Sequence, residues 1–259
     1  MLAADLGGGI IAGFTRVADG NLALHVGDDP AQVARRRLSL AEQLGVPVWF
    51  GRQIHGTRVL DLDAETRRPA APAASAASAA SMVDLDDGSA PGGVDALVAT
   101  RTGIGLGVLI ADCVPVLLAD PGAGVIAVAH AGRVGLLAGV IAAVVDAMTA
   151  KGARADGIRV ALGPAAGPCC YEVPDELRRA AESLVPALGA TTSWGTPSLD
   201  LRAGVAATLA DRGVRQVALV GGCTIEDPES FSYRRSRRRG VETGRCAGVV
   251  AVRSSAQSR

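Results

Sequence analysis

The stretch Leu109–Leu137, LIADCVPVLLADPGAGVIAVAHAGRVGLL, constrains the fold of this chain more than any other. Two continuous apolar runs, Val114–Ala119 and Val125–Ala129, flank the turn signal Pro121-Gly122. Runs of this length bounded by a turn read as buried strands, although a short buried helical segment has the same pattern. The polar residues at their ends do not belong to a plain core. Asp112-Cys113 precedes the first run, and His130 closes the second. Gly132 and Gly135 then lead into an apolar helical stretch, Leu136–Met148. A carboxylate, a thiol and an imidazole delivered to strand ends, beside residues small enough to leave room, mark a candidate site. The sequence holds 3 histidines, so a second imidazole must be His25 or His55.

The 259 residues suffice for one large mixed domain with a sizeable core. With 49% hydrophobic but only 3% aromatic residues, that core must be built from Val, Leu, Ile and Ala. Lys+Arg 26 balances Asp+Glu 26, which argues against a global nucleic-acid footprint. The 5 cysteines show no disulfide framework, so reduced thiols in a cytoplasmic protein are expected. The opening MLAADLGGGI has neither a basic region nor a long apolar core, unlike a signal peptide. Arg101, Asp112 and several glycines interrupt the apolar run Val94–Ala119, so no membrane-length span is expected.

Taken in order, the chain starts β-rich over residues 1–28. Asp29-Pro30 then offers an N-cap and a proline at the first helical position. A helix should follow to about Leu44, with Val33, Leu38, Leu40 and Leu44 as core contacts. Its triplet Arg35, Arg36 and Arg37 is either a solvated face or the source of one inward guanidinium that holds an anion. Strands are expected at Val46–Phe50, Thr57–Leu62, Val94–Thr100 and Gly105–Ala111, followed by the two apolar runs. Helix Leu136–Ala150, strand Ile158–Leu162, helix Asp175–Leu188 and an Asp200-capped helix to Asp211 come next. Strands Val217–Val220 and Ala247–Val252 complete the set, with the arginine run through Arg239 read as a solvated loop. Residues 69–81, PAAPAASAASAAS, read as a flexible surface loop. They do not mark a domain boundary, because candidate site residues lie on both sides. Several strand pairs are joined too tightly for crossover helices, which favours a mixed, α+β sheet protein.

Several blocks occur together in the chain: QIHG at Gln53–Gly56, ADCVPVLLAD at Ala111–Asp120, HAGRVG at His130–Gly135 and GPAAGPCCYEV at Gly163–Val173. LDLR at Leu199–Arg202, Cys223-Thr224, FSYRR at Phe231–Arg235 and TGR at Thr243–Arg245 come after them in order. In these blocks the chain resembles the YfiH-like, laccase-domain family, long described as multicopper polyphenol oxidases and now viewed as zinc-site purine nucleoside enzymes. The resemblance covers nearly the whole chain. It implies a single α+β domain of four αββα layers, a β-sandwich-like core flanked by helices. It also implies His55, Cys113 and His130 as metal ligands.

Two imidazoles and a thiolate are a sensible shell for Zn²⁺, with a fourth position open for water whose pKa the metal lowers. Cu²⁺ is the alternative metal, since a blue-copper centre uses the same donors with a weak axial ligand. A full multicopper oxidase needs many more imidazoles than His25, His55 and His130 supply, so a conventional laccase mechanism is rejected. The resemblance further implies that Asn21 and Arg37 hold substrate or phosphate, that Gln53 lies in the substrate pocket, and that Asp112 orients the cysteine or a reacting water. Tyr171 and Arg234-Arg235 fall in blocks near the site. Arg133-Val134 replaces the usual Trp-Arg, Arg36 replaces the usual asparagine, and the N-terminal turn is shortened to Val17–Gly20. These departures bear on substrate preference.

The implied activities are phosphorolysis of adenosine, inosine or guanosine to base and ribose 1-phosphate, and deamination of adenosine. The expected partners are a nucleoside and phosphate, with no nucleic acid and no membrane, and with a homodimer left open. Three other classes compete. One is a cysteine amidohydrolase, with Cys113 as nucleophile and His130 as base, acting on amides such as peptidoglycan precursors. The others are a copper-dependent phenol oxidase and a non-enzymatic partner protein with a structural zinc.

Overall fold

The computed structural model describes residues 1–65, 82–84 and 92–252. The loop expected over 69–81 lies outside the described residues. In chain order the strands are β1 (Leu2–Ala4), β2 (Ile10–Phe14), β3 (Val48–Phe50), β4 (Val59–Asp61), β5 (Met82–Asp84), β6 (Ala96–Ala99), β7 (Ile104–Ile110), β8 (Val114–Asp120), β9 (Val125–Ala131), β10 (Arg159–Leu162), β11 (Gly189–Thr191), β12 (Pro197–Leu199), β13 (Gln216–Leu219) and β14 (Cys246–Val252). The helices are α1 (Pro30–Leu44), α2 (Leu62–Glu65), α3 (Arg133–Ala138), α4 (Val140–Ala150), α5 (Asp175–Leu184), α6 (Leu201–Asp211) and α7 (Tyr233–Arg239).

Two mixed sheets form, ordered β1-β2-β14-β7-β3-β5 and β13-β10-β8-β9-β6-β4, while β11 and β12 pair separately. Every residue of β7, β8 and β9 is buried, because each of these strands is covered on both faces. Side-chain parity sorts the faces. Phe14, Leu106, Val108 and Val250 of the first sheet meet Leu97, Leu117, Ile126 and Val128 of the second. The outer face of the first sheet, with Val48, Phe50, Val249 and Ala251, packs on Leu40, Ala41 and Leu44 of α1. The outer face of the second, with Val116, Leu118, Ala127 and Ala129, packs on Val140, Ile141 and Val144 of α4 and Val205 of α6. The result is the expected α+β domain in four αββα layers.

Local chemistry explains where elements start and stop. The Asp29 carboxylate accepts a hydrogen bond from the Ala31 N–H, a cap of the kind that contributes about 1 kcal/mol, and Gly45 ends α1 at φ 72°. The buried stripe of α1 holds Val33, Arg37, Leu40, Ala41 and Leu44. Leu38 falls roughly 100° off that stripe and is exposed, contrary to its expected core position. The single helix expected over 136–150 is two helices, because Gly139 turns to φ 102° between α3 and α4. Pro186 has no N–H to extend α5, which ends at Leu184 before a short 3₁₀ turn, Pro186–Leu188. The arginine run is helical rather than a loop. Ser232 caps α7 by accepting from the Arg235 N–H, and Gly240 closes it at φ 65°. Arg237, Arg238 and Arg239 are exposed, as a solvated run should be, but Arg235 is half-buried and its guanidinium donates to the carbonyls of Thr224, Ile225, Asp227 and Ser230.

β7 and β8 belong to different sheets, so Ala111-Asp112-Cys113 is the point where the chain crosses between layers. Asp112 makes that crossing at φ 93°, a conformation costly for a non-glycine residue. Among the described residues no helix is long and apolar enough to cross a membrane.

Candidate metal centre

His130 is the sixth residue of β9 and shares the parity of Ile126 and Val128, so it belongs to the face between the sheets. Pro115 pairs with His130 and Val114 with Ala131, which sets Cys113, one residue earlier, at the same edge. His55 comes from the segment after β3 and holds a positive φ of 62°. One ligand atom from each of His55, Cys113 and His130 lies within 4.8 Å of the others. The two imidazole rings stand edge to face with centroids 4.7 Å apart, and His55 Nε2 is 3.7 Å from Cys113 Sγ. The two glycines after His130 make this approach possible. A Cβ on Gly132 would stand 2.8 Å from His55 Cδ2 and 2.9 Å from Cys113 Sγ, and one on Gly135 would stand 3.0 Å from the Gly56 carbonyl oxygen.

A fourth residue, not among those expected from the sequence, organises the three. Asp95 is buried, and its carboxylate accepts from His130 Nδ1 at 2.8 Å and from the N–H groups of Ile54, His55 and Gly56 at 3.1, 2.9 and 2.7 Å. Burial works to raise the Asp95 pKa, but the bonds from His130, Gly56 and Ile54 outweigh it and lower the value. An ionised carboxylate only accepts, so Nδ1 of His130 carries the proton and Nε2 is left to bind metal. The signal was legible as a lone aspartate in the apolar run VDALVA, because a buried charge requires partners.

The same groups set the state of the thiol. Burial would raise the Cys113 pKa, but the charge and hydrogen bond of His130, with the bond to His55, bring it down to about 6. His130 moves the opposite way. Burial disfavours its charged form, yet the Cys113 thiolate and Asp95 raise its pKa. Without a metal, the pair therefore holds a thiolate beside an imidazolium. Peptide-resolved alkylation of the metal-free protein with iodoacetamide should show Cys113 reacting with a midpoint near pH 6, against about 8.5 for an ordinary thiol. Reactivity should fall as pH drops through that value. Asp95→Asn should move the midpoint upward, because a less stable imidazolium holds the thiolate less well. A midpoint near 8.5 in the unmutated protein would refute the coupling.

The three donors open on a cavity of about 850 Å³, within the usual range for small-molecule sites. Arg37, Gln53, Asp112, Tyr171, Arg234 and Arg245 are among its lining residues, as is His25. Arg37 is buried, with Nε donating to the Leu22 carbonyl at 2.7 Å and its guanidinium 5.1 Å over the Phe50 ring, whereas Arg35 is exposed. Gln53 clamps the backbone of Leu109 in both directions, at 2.8 and 2.7 Å, and so continues the pairing of β3 with β7 through a side chain. Asp112 uses one carboxylate oxygen on the Thr224 hydroxyl, at 2.6 Å, and the other on the Arg234 N–H, at 2.7 Å. It thereby ties the interlayer crossing to the start of α7. The Arg234 guanidinium lies 5.0 Å over the Tyr171 ring.

Asn21 is placed elsewhere. It lines a second cavity, of about 560 Å³, and its amide is bonded to Ala23, Asp28 and the Arg245 N–H. It holds the strand-leading segment of Arg245 rather than lining the cavity of the metal donors. The donor set itself, two imidazoles and a thiolate with one imidazole braced by a carboxylate, fits Zn²⁺ or copper.

Comparison with known proteins gives a consistent result. Residues 7–253 match the family described as multi-copper polyphenol oxidoreductase laccase. The chain is 44% identical over 238 residues to a purine nucleoside phosphorylase, ORF3, of Streptomyces griseus, spanning 89% of this chain and 85% of that one. It is 36% identical over 233 residues to an adenosine deaminase, RL5, of an unknown prokaryotic organism, spanning 87% and 84%. The crystal structure of YlmD from Geobacillus stearothermophilus superposes with a TM-score of 0.77 at 31% identity, covering 95% of this chain and 93% of that one. A match over almost the whole length, on the fold of YlmD and with the His–Cys–His cluster at the layer crossing, shows that the chain belongs to the laccase-like YfiH family.

Proposed function

We propose that the chain is a zinc-dependent purine nucleoside enzyme that cleaves adenosine, inosine or guanosine with phosphate and deaminates adenosine. The observation that carries this reading is the convergence of His55, Cys113 and His130 on a cavity of about 850 Å³ whose wall combines guanidinium groups with an aromatic ring. A purine ring, a ribose and an anion make matching demands. Tyr171 and the Arg234 guanidinium stacked on it together offer an aromatic and hydrogen-bonding wall for the base, and Arg37 offers a fixed positive charge for phosphate. The relatives named for phosphorolysis and for adenosine deamination support both arms. Bound Zn²⁺ would supply Lewis acidity, polarising an oxygen and lowering the pKa of water.

The chain's own residues do the rest. His55, Cys113 and His130 would hold the metal, and Asp95 fixes the tautomer that lets Nε2 of His130 take part. Asp112 acts as a positioning residue, since both of its carboxylate oxygens are already engaged, by the Thr224 hydroxyl and by the Arg234 N–H. The test is a product screen of zinc-loaded protein against the three nucleosides, with and without phosphate. Base plus ribose 1-phosphate should appear only with phosphate, and inosine should form from adenosine without it. A fully loaded protein that turns over none of them would overturn the reading. Arg37→Ala should lower phosphorolysis by about 10²-fold, corresponding to roughly 3 kcal/mol for a charge-assisted anion contact, and should affect deamination far less. Equal losses in both assays would remove Arg37 from the phosphate site.

One observation favours a second reading. Cys113, His130 and Asp95 form a thiol–imidazole–carboxylate series, with the thiolate already favoured. That series is competent for nucleophilic attack on an amide. Full amidase activity in chelator-treated, metal-free protein would select it. A multicopper oxidase is disfavoured by the sequence itself, whose 3 histidines cannot ligate the several coppers required.

A further inference from the structure

A second group of soft donors lies outside the cavity of the His–Cys–His centre. Cys169, Cys170 and Cys223, with Glu226, bring one ligand atom each to within 4.8 Å of the others. The cysteines come from two segments, the glycine- and proline-rich loop before α5 and the loop after β13. Backbone pairing brings the loops together, because Ala165 bridges Cys223 and the Thr224 N–H donates to the Ala165 carbonyl at 2.9 Å. The Gly167 N–H donates to Cys223 Sγ at 3.2 Å, the kind of bond that supports a thiolate ligand from outside. A Cβ on Gly167 would stand 3.0 Å from Cys223 Cβ and 3.2 Å from Cys169 Sγ, so glycine is what lets the two loops close around the cluster. Cys169 Sγ lies 3.3 Å from Glu226 Oε2, which places the carboxylate inside the donor group.

We propose that Cys169, Cys170, Cys223 and Glu226 form a second, closed zinc site that staples these two loops. Three thiolates and a carboxylate complete a tetrahedral shell, so this ion has a structural rather than a catalytic character. Adjacent cysteines bridge poorly to each other, and a disulfide from either to Cys223 would leave one thiol and Glu226 without a role. Both stapled loops serve the cavity. One carries Tyr171, and the other carries Thr224, whose hydroxyl holds Asp112. Binding replaces the thiol protons by the cation and involves no electron transfer.

The test uses the full chain, reduced, exposed to excess Zn²⁺ and dialysed. Two zinc ions per chain are expected, with Cys113→Ala and Cys223→Ala each retaining one. Co²⁺ bound to Cys113→Ala should give the intense near-ultraviolet absorption of a several-thiolate site. Should Cys223→Ala fail to fold, alkylation of the unmutated chain reads the same site. Zn²⁺ should protect Cys169 and Cys170, and a chelator should remove that protection. No zinc in Cys113→Ala, equal alkylation with and without chelator, or a Cys223 disulfide in the isolated protein would each overturn the proposal. None of these outcomes depends on nucleoside turnover, so failure here is distinguishable from failure of the purine reading.

Discussion

Cys113→Ala is expected to empty the His55–His130 centre and to take nucleoside turnover down to background. Removing the thiolate leaves two imidazoles, one of them on an exposed segment. Zinc sites of four protein ligands bind with about 10–16 kcal/mol, so one ligand is worth about 3 kcal/mol, or a hundredfold or more in affinity. The remaining pair also loses its charge partner. His130 is held in its charged form largely by the Cys113 thiolate, and an imidazolium cannot ligate. Without the thiolate its pKa should fall, which partly frees Nε2 for metal but does not replace the missing donor. Elemental analysis and steady-state rates on the same preparation check the prediction, with circular dichroism to confirm folding. Retained activity after loss of the zinc held by His55 and His130 would place the chemistry elsewhere.

Much of this architecture was legible because its strongest signals are local. The runs that become β8 and β9 are continuous and apolar, and the Asp29-Pro30 start and Gly45 stop of α1 are a few residues long. Cys113 and His130 were legible as candidate donors because a thiol and an imidazole at strand ends beside glycines are unusual in a plain core, whereas the choice of His55 over His25 came from the family blocks. What escaped depends on contacts far apart in the chain. Asp95 gains its role only when Ala96 pairs with Ala129, which carries His130 to the same edge. The engagement of Asn21 with the Arg245 N–H joins opposite ends of the chain. Likewise β14 lies between β2 and β7, and no periodicity in the sequence reports that order. The helical arginine run was a misjudged local signal, since Ser232 and Gly240 bracket it as caps.

Asp95→Ala should be the most destabilising single change near the centre, by about 3–5 kcal/mol, because it strips a buried charge from its partners. The N–H groups of Ile54, His55 and Gly56 and Nδ1 of His130 all lose an acceptor. Asp95→Asn should be milder in packing, but its amide NH₂ faces donors, so one side of the cluster stays unsatisfied. In Asn variants that fold, metal affinity should fall about 10–100-fold, as expected when the brace behind a ligating histidine is lost. The pH dependence has a definite sign. The folded pKa of Asp95 is lowered, so its stabilisation is fully present above the ordinary carboxylate value near 4. It is lost as pH falls through the lowered folded value. Urea unfolding of metal-free protein should therefore show a gap between the original chain and Asp95→Asn that is full at neutral pH and narrows in acid. A gap below about 1 kcal/mol at neutral pH, the scale of one ordinary hydrogen bond, would mean that Asp95 does not organise the centre.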